Sequence, residues 1–222
     1  MDVTGRLEVD SLTHSYGRHR VLSGVYLTCE PAEIVGVLGP NGCGKTTMLR
    51  ALFGVLDADS MHLALGGDTL VHAFRTERIG YLAQEPFLPR RMTVRAAVRG
   101  LLSDRQAAKT LLTHPRIAPL ERRRIGSLSG GEHRYLEVLL IVSLPAPFIF
   151  LDEPFTEIEP IHREPLKDAI RQAAHGDRKG VLITDHAYRD ILDTADRIEV
   201  FTDGVLRTAA GESDLRRLGY TP

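Results

Sequence analysis

Nine residues constrain this chain more than any others: Gly39, Pro40, Asn41, Gly42, Cys43, Gly44, Lys45, Thr46 and Thr47. They follow an apolar run over residues 34–38 and lead into a helix-like stretch over 48–53. Strand, glycine-rich turn, then a helix opening on Gly-Lys-Thr is the setting of a phosphate-binding loop. Glycine lets successive backbone N–H groups turn inward around an anion with no Cβ in the way. The helix N-terminus adds its partial positive charge. In such a loop Lys45 reaches the β and γ phosphates, and the Thr46 hydroxyl holds Mg²⁺. The spacing therefore predicts a nucleoside triphosphate site, lined by Gly39, Asn41, Gly42, Cys43, Gly44, Lys45, Thr46 and Thr47.

Length allows 222 residues to form one large α/β domain, or a core with a small subdomain. A formal charge of −1 with 26% charged residues gives no overall basic character, so no nucleic-acid partner is expected. Two cysteines, Cys29 and Cys43, do not make a disulfide framework. Cys43 inside the phosphate loop points to a reducing compartment. The first six residues lack the basic start and apolar core of a leader. Residues 138–144, the most apolar stretch, are too few to cross a bilayer, so any membrane is crossed by another chain.

Along the chain, residues 6–16 and 25–29 read as strands around a turn at 16–20, with Tyr16 alone reading as a half-buried core residue. Residues 62–65 precede a turn at Gly66, Gly67 and Asp68. A further strand over 78–83 ends at Gln84, and open parallel sheets gather ligands at such strand ends. Pro86, Pro89, Arg90 and Arg91 then mark a loop, followed by helical stretches at 93–102 and 104–112. The run Glu121, Arg122, Arg123, Arg124 reads as a solvated face, the alternative being a contact with lipid head groups or an acidic partner surface. Leu128, Ser129, Gly130, Gly131 and Glu132 precede a helix over 133–144, with Ser129 and Glu132 spaced as a capping box.

Residues 148–153 form an uninterrupted apolar strand ending in Asp152 and Glu153. Such a strand needs cover on both faces, as in a parallel sheet. Two acids at its end, in a chain with a phosphate loop, point to Mg²⁺ binding by Asp152 and polarisation of the attacking water by Glu153. A helix over 161–174 follows. Then a strand over 180–184 ends at Asp185 and His186, where a γ-phosphate contact is feasible. A helix over 187–195 and a hairpin over 197–209 close the chain.

Taken together, these stretches resemble the ATP-binding subunit of ABC transporters nearly end to end. Residues 39–47 match the Walker A loop, and Gln84 the Q-loop glutamine. Residues 128–132 match the LSGGQ-type signature, with Glu132 for the final Gln. Residues 148–153 match Walker B with its catalytic glutamate, and His186 the switch histidine; Tyr16 lies where the family stacks an aromatic on adenine. The signature, lying between Walker A and Walker B, separates this family from phosphate-loop kinases and GTPases. Residues 79–85, 151–155 and 182–186 look most like the lipopolysaccharide-export and branched-chain amino-acid ATPases.

The resemblance implies an α/β phosphate-loop NTPase core with an antiparallel N-terminal sheet. Its ATP-binding core is 1–84 with 145–222, and a short helical subdomain is inserted at 85–144. It implies ATP and Mg²⁺ as ligands, with Glu153, His186 and Gln84 catalytic and Thr46, Gln84 and Asp152 around the metal. Two cassettes of this family pack head to tail, each ATP lying between Walker A of one and the signature of the other. Ser129, Gly130 and Gly131 would therefore contact the ATP of a second copy or similar cassette. A transmembrane permease is the implied partner, and the inner face of the cell membrane, on the cytoplasmic side, the implied location. The first rival is a soluble ABC ATPase, as in iron–sulfur assembly; the second is a nucleotide-gated binding module with little turnover, which Glu153 and His186 disfavour.

The chain departs from the family after Walker B. Residues 156–159 read Thr, Glu, Ile, Glu, where a small residue or Gly and then Asp is usual. The segment from Gln84 to Ser129 is short, and Leu139, Leu140, Ile141 and Val142 stand where Ala and Arg are usual. The loop after Gln84 carries Phe87, Leu88, Pro89 and Met92 among Arg90 and Arg91. It suits a groove receiving a helix of a membrane subunit, unless Phe87 and Leu88 fold back onto the helical subdomain.

Overall fold

The computed structural model describes residues 5–209 and 211–217. Met1 to Thr4, the start of the N-terminal stretch read for a leader, and the last five residues of the expected domain lie outside the described residues. In chain order the strands and α-helices are β1 (Leu7–Tyr16), β2 (His19–Cys29), β3 (Ile34–Leu38), α1 (Lys45–Phe53), β4 (Ser60–Leu65), β5 (Asp68–Thr69), β6 (Ile79–Leu82), α2 (Val94–Leu101), α3 (Arg105–Thr113), α4 (Gly130–Val142), β7 (Phe148–Asp152), α5 (Pro160–Arg171), β8 (Gly180–Thr184), α6 (Tyr188–Thr194), β9 (Arg197–Thr202), β10 (Val205–Ala209) and α7 (Glu212–Arg217).

Among the described residues these strands make two sheets. One is antiparallel with order β2-β1-β4-β5. The other has order β10-β9-β3-β8-β7-β6 and is parallel except for the closing pair of β9 and β10. An α/β core with an antiparallel N-terminal sheet is thus the observed architecture.

Alternation within the central strands assigns their faces. Val35, Val37, Phe148, Phe150 and Leu182 pack with α1 and the antiparallel sheet. Ile34, Leu38, Ile149, Leu151, Val181 and Ile183 pack with α2 to α6. Every residue of β3, β7 and β8 is buried. The second face leaves no room for a side chain at Gly36, where a Cβ would lie 2.5 Å from Ile191 Cγ2 on α6.

Several boundaries differ from the sequence reading for local reasons. β2 begins at His19 rather than at residue 25, because register shifts in its pairing with β1 and Gly24 at φ +96° interrupt the alternation. α4 begins at Gly130 rather than 133. Its start is set by a complete capping box: Glu132 N–H donates to Ser129 Oγ at 3.1 Å, and Ser129 N–H donates to Glu132 Oε2 at 2.8 Å. Its other end, at Val142, is closed by a cation. Lys179 Nζ donates to the carbonyls of Val142 (2.6 Å) and Leu144 (2.7 Å), where the helix carries partial negative charge. α5 ends at Arg171 and passes into a single π-turn over Gln172–Gly176.

Candidate active site

β3, β6, β7 and β8 run parallel, so their carboxyl ends lie on one rim of the sheet. Beyond β3 comes the phosphate loop. Gly44, at φ +117°, turns the chain into α1, and that conformation strains any residue with a Cβ. Lys45 folds back over the loop, its Nζ donating to the carbonyls of Gly39 (2.6 Å) and Pro40 (3.2 Å). A cleft of about 450 Å³ is lined by Asn41, Gly42, Gly44, Lys45, Thr46 and Thr47, together with Gln84, Glu153 and His186. These last three come from the ends of β6, β7 and β8. The structure thus brings together the phosphate loop and the three residues expected to act on the γ-phosphate.

Glu153 is the focus of that group. Gln84 Nε2 and Thr156 Oγ1 each donate to its Oε2 at 3.2 Å, and His186 Nδ1 lies 3.6 Å from the same oxygen. Its backbone is left-handed, with φ +53°. Asp152, one residue earlier, is fully buried. Thr184 Oγ1 donates to its Oδ1 at 2.7 Å, Tyr81 Oη lies 3.4 Å from Oδ2, and Thr46 hydrogen-bonds the same carboxyl. Burial pushes the Asp152 carboxyl up from the usual carboxylate range, against the pull of those hydroxyls. Asp185 is raised likewise by burial, while its carboxylate accepts from the N–H groups of Phe155 and Ala187.

The residues present fit Mg²⁺. Thr46 and Asp152 already touch, and with the Gln84 carbonyl they offer an oxygen set of the kind that hard cation takes. Among the described residues no three His, Cys, Asp or Glu side chains converge as a metal cage.

Ser129 and Gly131 face elsewhere. They line a separate cavity of about 320 Å³ with Arg116, Glu132, Glu157, Ile158, Glu159 and His162, none of which lines the phosphate-loop cleft. Glu157, where the family carries a small residue, has φ +63°, and its carboxylate lies against Gly130: a Cβ there would meet Oε2 at 2.0 Å.

Tyr16 is 51% exposed at the end of β1, with its ring set edge-on to His14 at 4.7 Å. A half-buried core role is thereby excluded, and the ring is open to stack on a base. The loop after Gln84 divides. Leu88 folds back into the core of the helical segment, whereas Phe87 and Met92 stay exposed. Arg122, Arg123 and Arg124 are exposed, with Arg123 paired to Glu132 at 3.2 Å.

Sequence reasoning missed Thr184, Tyr81 and Arg134. Arg134 is buried on α4 and donates to the carbonyls of Ala83, Asp152 and Glu153. A usable signal was present: Arg134 and Glu137 are charges one turn apart in a helix whose apolar run implies burial.

The chain matches the ABC transporter family model over residues 22–156. It is 35% identical to an ABC transporter ATP-binding protein of Rhizobium meliloti, over 96% of this chain and 86% of the relative. It is 34% identical to the lipopolysaccharide export system ATP-binding protein LptB of Haemophilus influenzae, over 89% of this chain and 87% of the relative. A solved ATP-binding subunit of an ABC transporter superposes with a TM-score of 0.84 at 21% identity, covering 96% of this chain and 93% of that one, a likeness of fold.

Cys43 offers a direct probe of the loop. Burial pushes its thiol up from the usual range, outweighing the opposing effect of Lys45. A raised thiol carries less thiolate at neutral pH, so iodoacetamide should modify Cys43 more slowly than free glutathione at pH 7.5, and faster as pH rises. Saturating Mg-ATP should slow it further. Equal labelling rates with and without Mg-ATP, followed by mass spectrometry, would contradict nucleotide binding at this loop.

Proposed function

The chain belongs to the ABC transporter family of ATP-binding subunits, and from that premise we propose that it drives a membrane transporter by closing on ATP as a head-to-tail dimer. Proteins of this family are ATPases, and this chain is one. The observation that carries the dimer is the separation of its two half-sites. The phosphate loop and Ser129 face cavities with no lining residue in common. A capped helix start with two glycines is a fitting anion contact, but it opens on a cavity separate from the chain's own phosphate loop. A second copy turned head to tail supplies it.

Hydrolysis then follows from the cleft. Lys45 and the N–H groups of the loop hold the phosphates of ATP. Glu153 takes a proton from the attacking water, its Oε2 kept in place by Gln84 and Thr156. His186, beside the same oxygen, faces the γ-phosphate. Thr46, Asp152 and Gln84 would hold Mg²⁺, which when bound would supply charge neutralisation for the phosphates.

The membrane partner is read from surface and kinship. Among the described residues no helix is long and apolar enough to cross a membrane. The relatives carry the names of transport-system subunits. Phe87 (39% exposed) and Met92 (37%) sit on a loop whose base is buried through Leu88, a firm apolar seat for a helix of a permease. The chain would then lie on the cytoplasmic face of the membrane.

Glu153→Gln should bind ATP yet hydrolyse it about a hundredfold more slowly, the range for a lost general base. By light scattering it should be a dimer with ATP and a monomer without. Adding Ser129→Arg should abolish the shift, because its bulk blocks the approach of the partner's γ-phosphate. A mass independent of nucleotide in both variants would contradict ATP-driven closure.

Phe87→Asp should leave basal hydrolysis and the unfolding midpoint nearly unchanged while preventing co-purification with a multi-span membrane protein. Wild-type protein that brings down no such partner after gentle solubilisation overturns the transporter reading.

A further inference from the structure

α4, capped by Ser129, carries two charges into the core, Arg134 (6% exposed) and Glu137 (0%). The Arg134 guanidinium spans the ends of two strands. Nη1 donates to the carbonyl of Ala83 at 2.7 Å, immediately before Gln84. Nη2 donates to the carbonyl of Asp152 and, at 3.1 Å, to that of Glu153. Glu137 grips the other side of Gln84: its Oε1 accepts from the N–H groups of Phe87 (2.8 Å) and Leu88 (3.3 Å). Its Oε2 lies 3.6 Å from Arg134 Nη1, beyond hydrogen-bond length but close enough to offset the charge.

Two physical points separate this pair from ordinary packing. A buried ion pair contributes little net stability compared with apolar residues of similar volume, because both charges lose water. The acceptors of Arg134, moreover, are the backbone groups that aim Gln84 and Glu153. Glu153 holds a left-handed φ of +53°, a conformation strained for a residue with a Cβ that persists only where neighbours over-determine it. Its N–H is fixed by the Thr184 carbonyl at 2.8 Å, and its carbonyl by Arg134.

We propose that Arg134 is a positioning residue for ATP hydrolysis: its two-nitrogen fork sets the backbones of Gln84 and Glu153 relative to one another and ties both to the helix that begins at Ser129. This rests on the ATPase reading of the cleft. Arg134 is not among the residues lining the phosphate-loop cleft or the Ser129 cavity. It acts through Glu153, whose contact with Gln84 at 3.2 Å depends on where the two strand ends are held.

The test is a pair of single-turnover measurements, with rates taken per nucleotide site as titrated with a fluorescent ATP analogue, so that unfolded protein drops out. Arg134→Lys keeps a cation opposite Glu137 but replaces the fork with one nitrogen. It should lower the hydrolysis rate about tenfold or more, the scale of a small misplacement of a reacting group, with ATP affinity changed less than about twofold. In a Glu153→Gln background the same substitution should cause no further fall, because a positioning group has no effect once the residue it positions is gone. A merely structural role predicts that the two losses multiply. If Arg134→Lys binds no nucleotide, the combined Arg134→Met and Glu137→Leu protein, which removes both buried charges together, takes its place under the same criteria. Multiplying losses, or full-rate hydrolysis by Arg134→Lys, overturns the role while leaving the ATPase reading intact. Wild-type protein that hydrolyses no ATP overturns both.

Discussion

Everything in this fold depends on three adjacent parallel strands, β3, β8 and β7, with no residue open to solvent. Strands covered on both faces have little use for polar side chains along their length. Chemistry is therefore displaced to their ends, and parallel order puts the carboxyl ends together. The phosphate loop after β3, Glu153 after β7 and His186 after β8 share one rim for that reason, joined by Gln84 after β6. Asp152 is the exception, a carboxylate inside the strand with no exposure. Burial raises its pKa, and the hydroxyls of Thr184, Thr46 and Tyr81 oppose the rise.

The second dependence is on α4. Its first turn displays Ser129 and the glycines. Its second passes Arg134 and Glu137 to the strand ends on either side of Gln84, and its last is closed by Lys179. One helix thus links the glycine-rich start at Ser129, the backbones on either side of Gln84 and at Glu153, and the loop bearing Phe87. On the proposed reading, nucleotide at one end and a membrane partner at the other would be connected through this helix.

Legibility in the sequence followed local physics. The phosphate loop, the acidic strand end and the capping box at Ser129 are encoded in consecutive residues, so their positions could be read directly. The alternation that assigns Phe148 and Phe150 to one core and Ile149 and Leu151 to the other is hidden, because all four are apolar. β5 has two residues and no periodicity to show. The early part of β2 was obscured by Gly24 and a shifted register. Arg134 and Thr184 reach their acceptors across the sheet from distant parts of the chain, and spacing along a sequence does not carry such contacts. Tyr16 was readable only through family resemblance; its exposure is a property of where β1 ends.

On the proposed reading each hydrolytic site is divided between two copies, the phosphate loop of one and Ser129 of the other. Mixing two inactive proteins tests it most directly: Lys45→Ala, which lacks the phosphate-loop cation, and Ser129→Arg, which blocks the helix start. A head-to-tail pair formed from one of each has one site with both defects and one site with neither. The account predicts that the mixture hydrolyses ATP although neither protein does so alone. A mixture no more active than its separate components would contradict it, and would place the whole site within one chain.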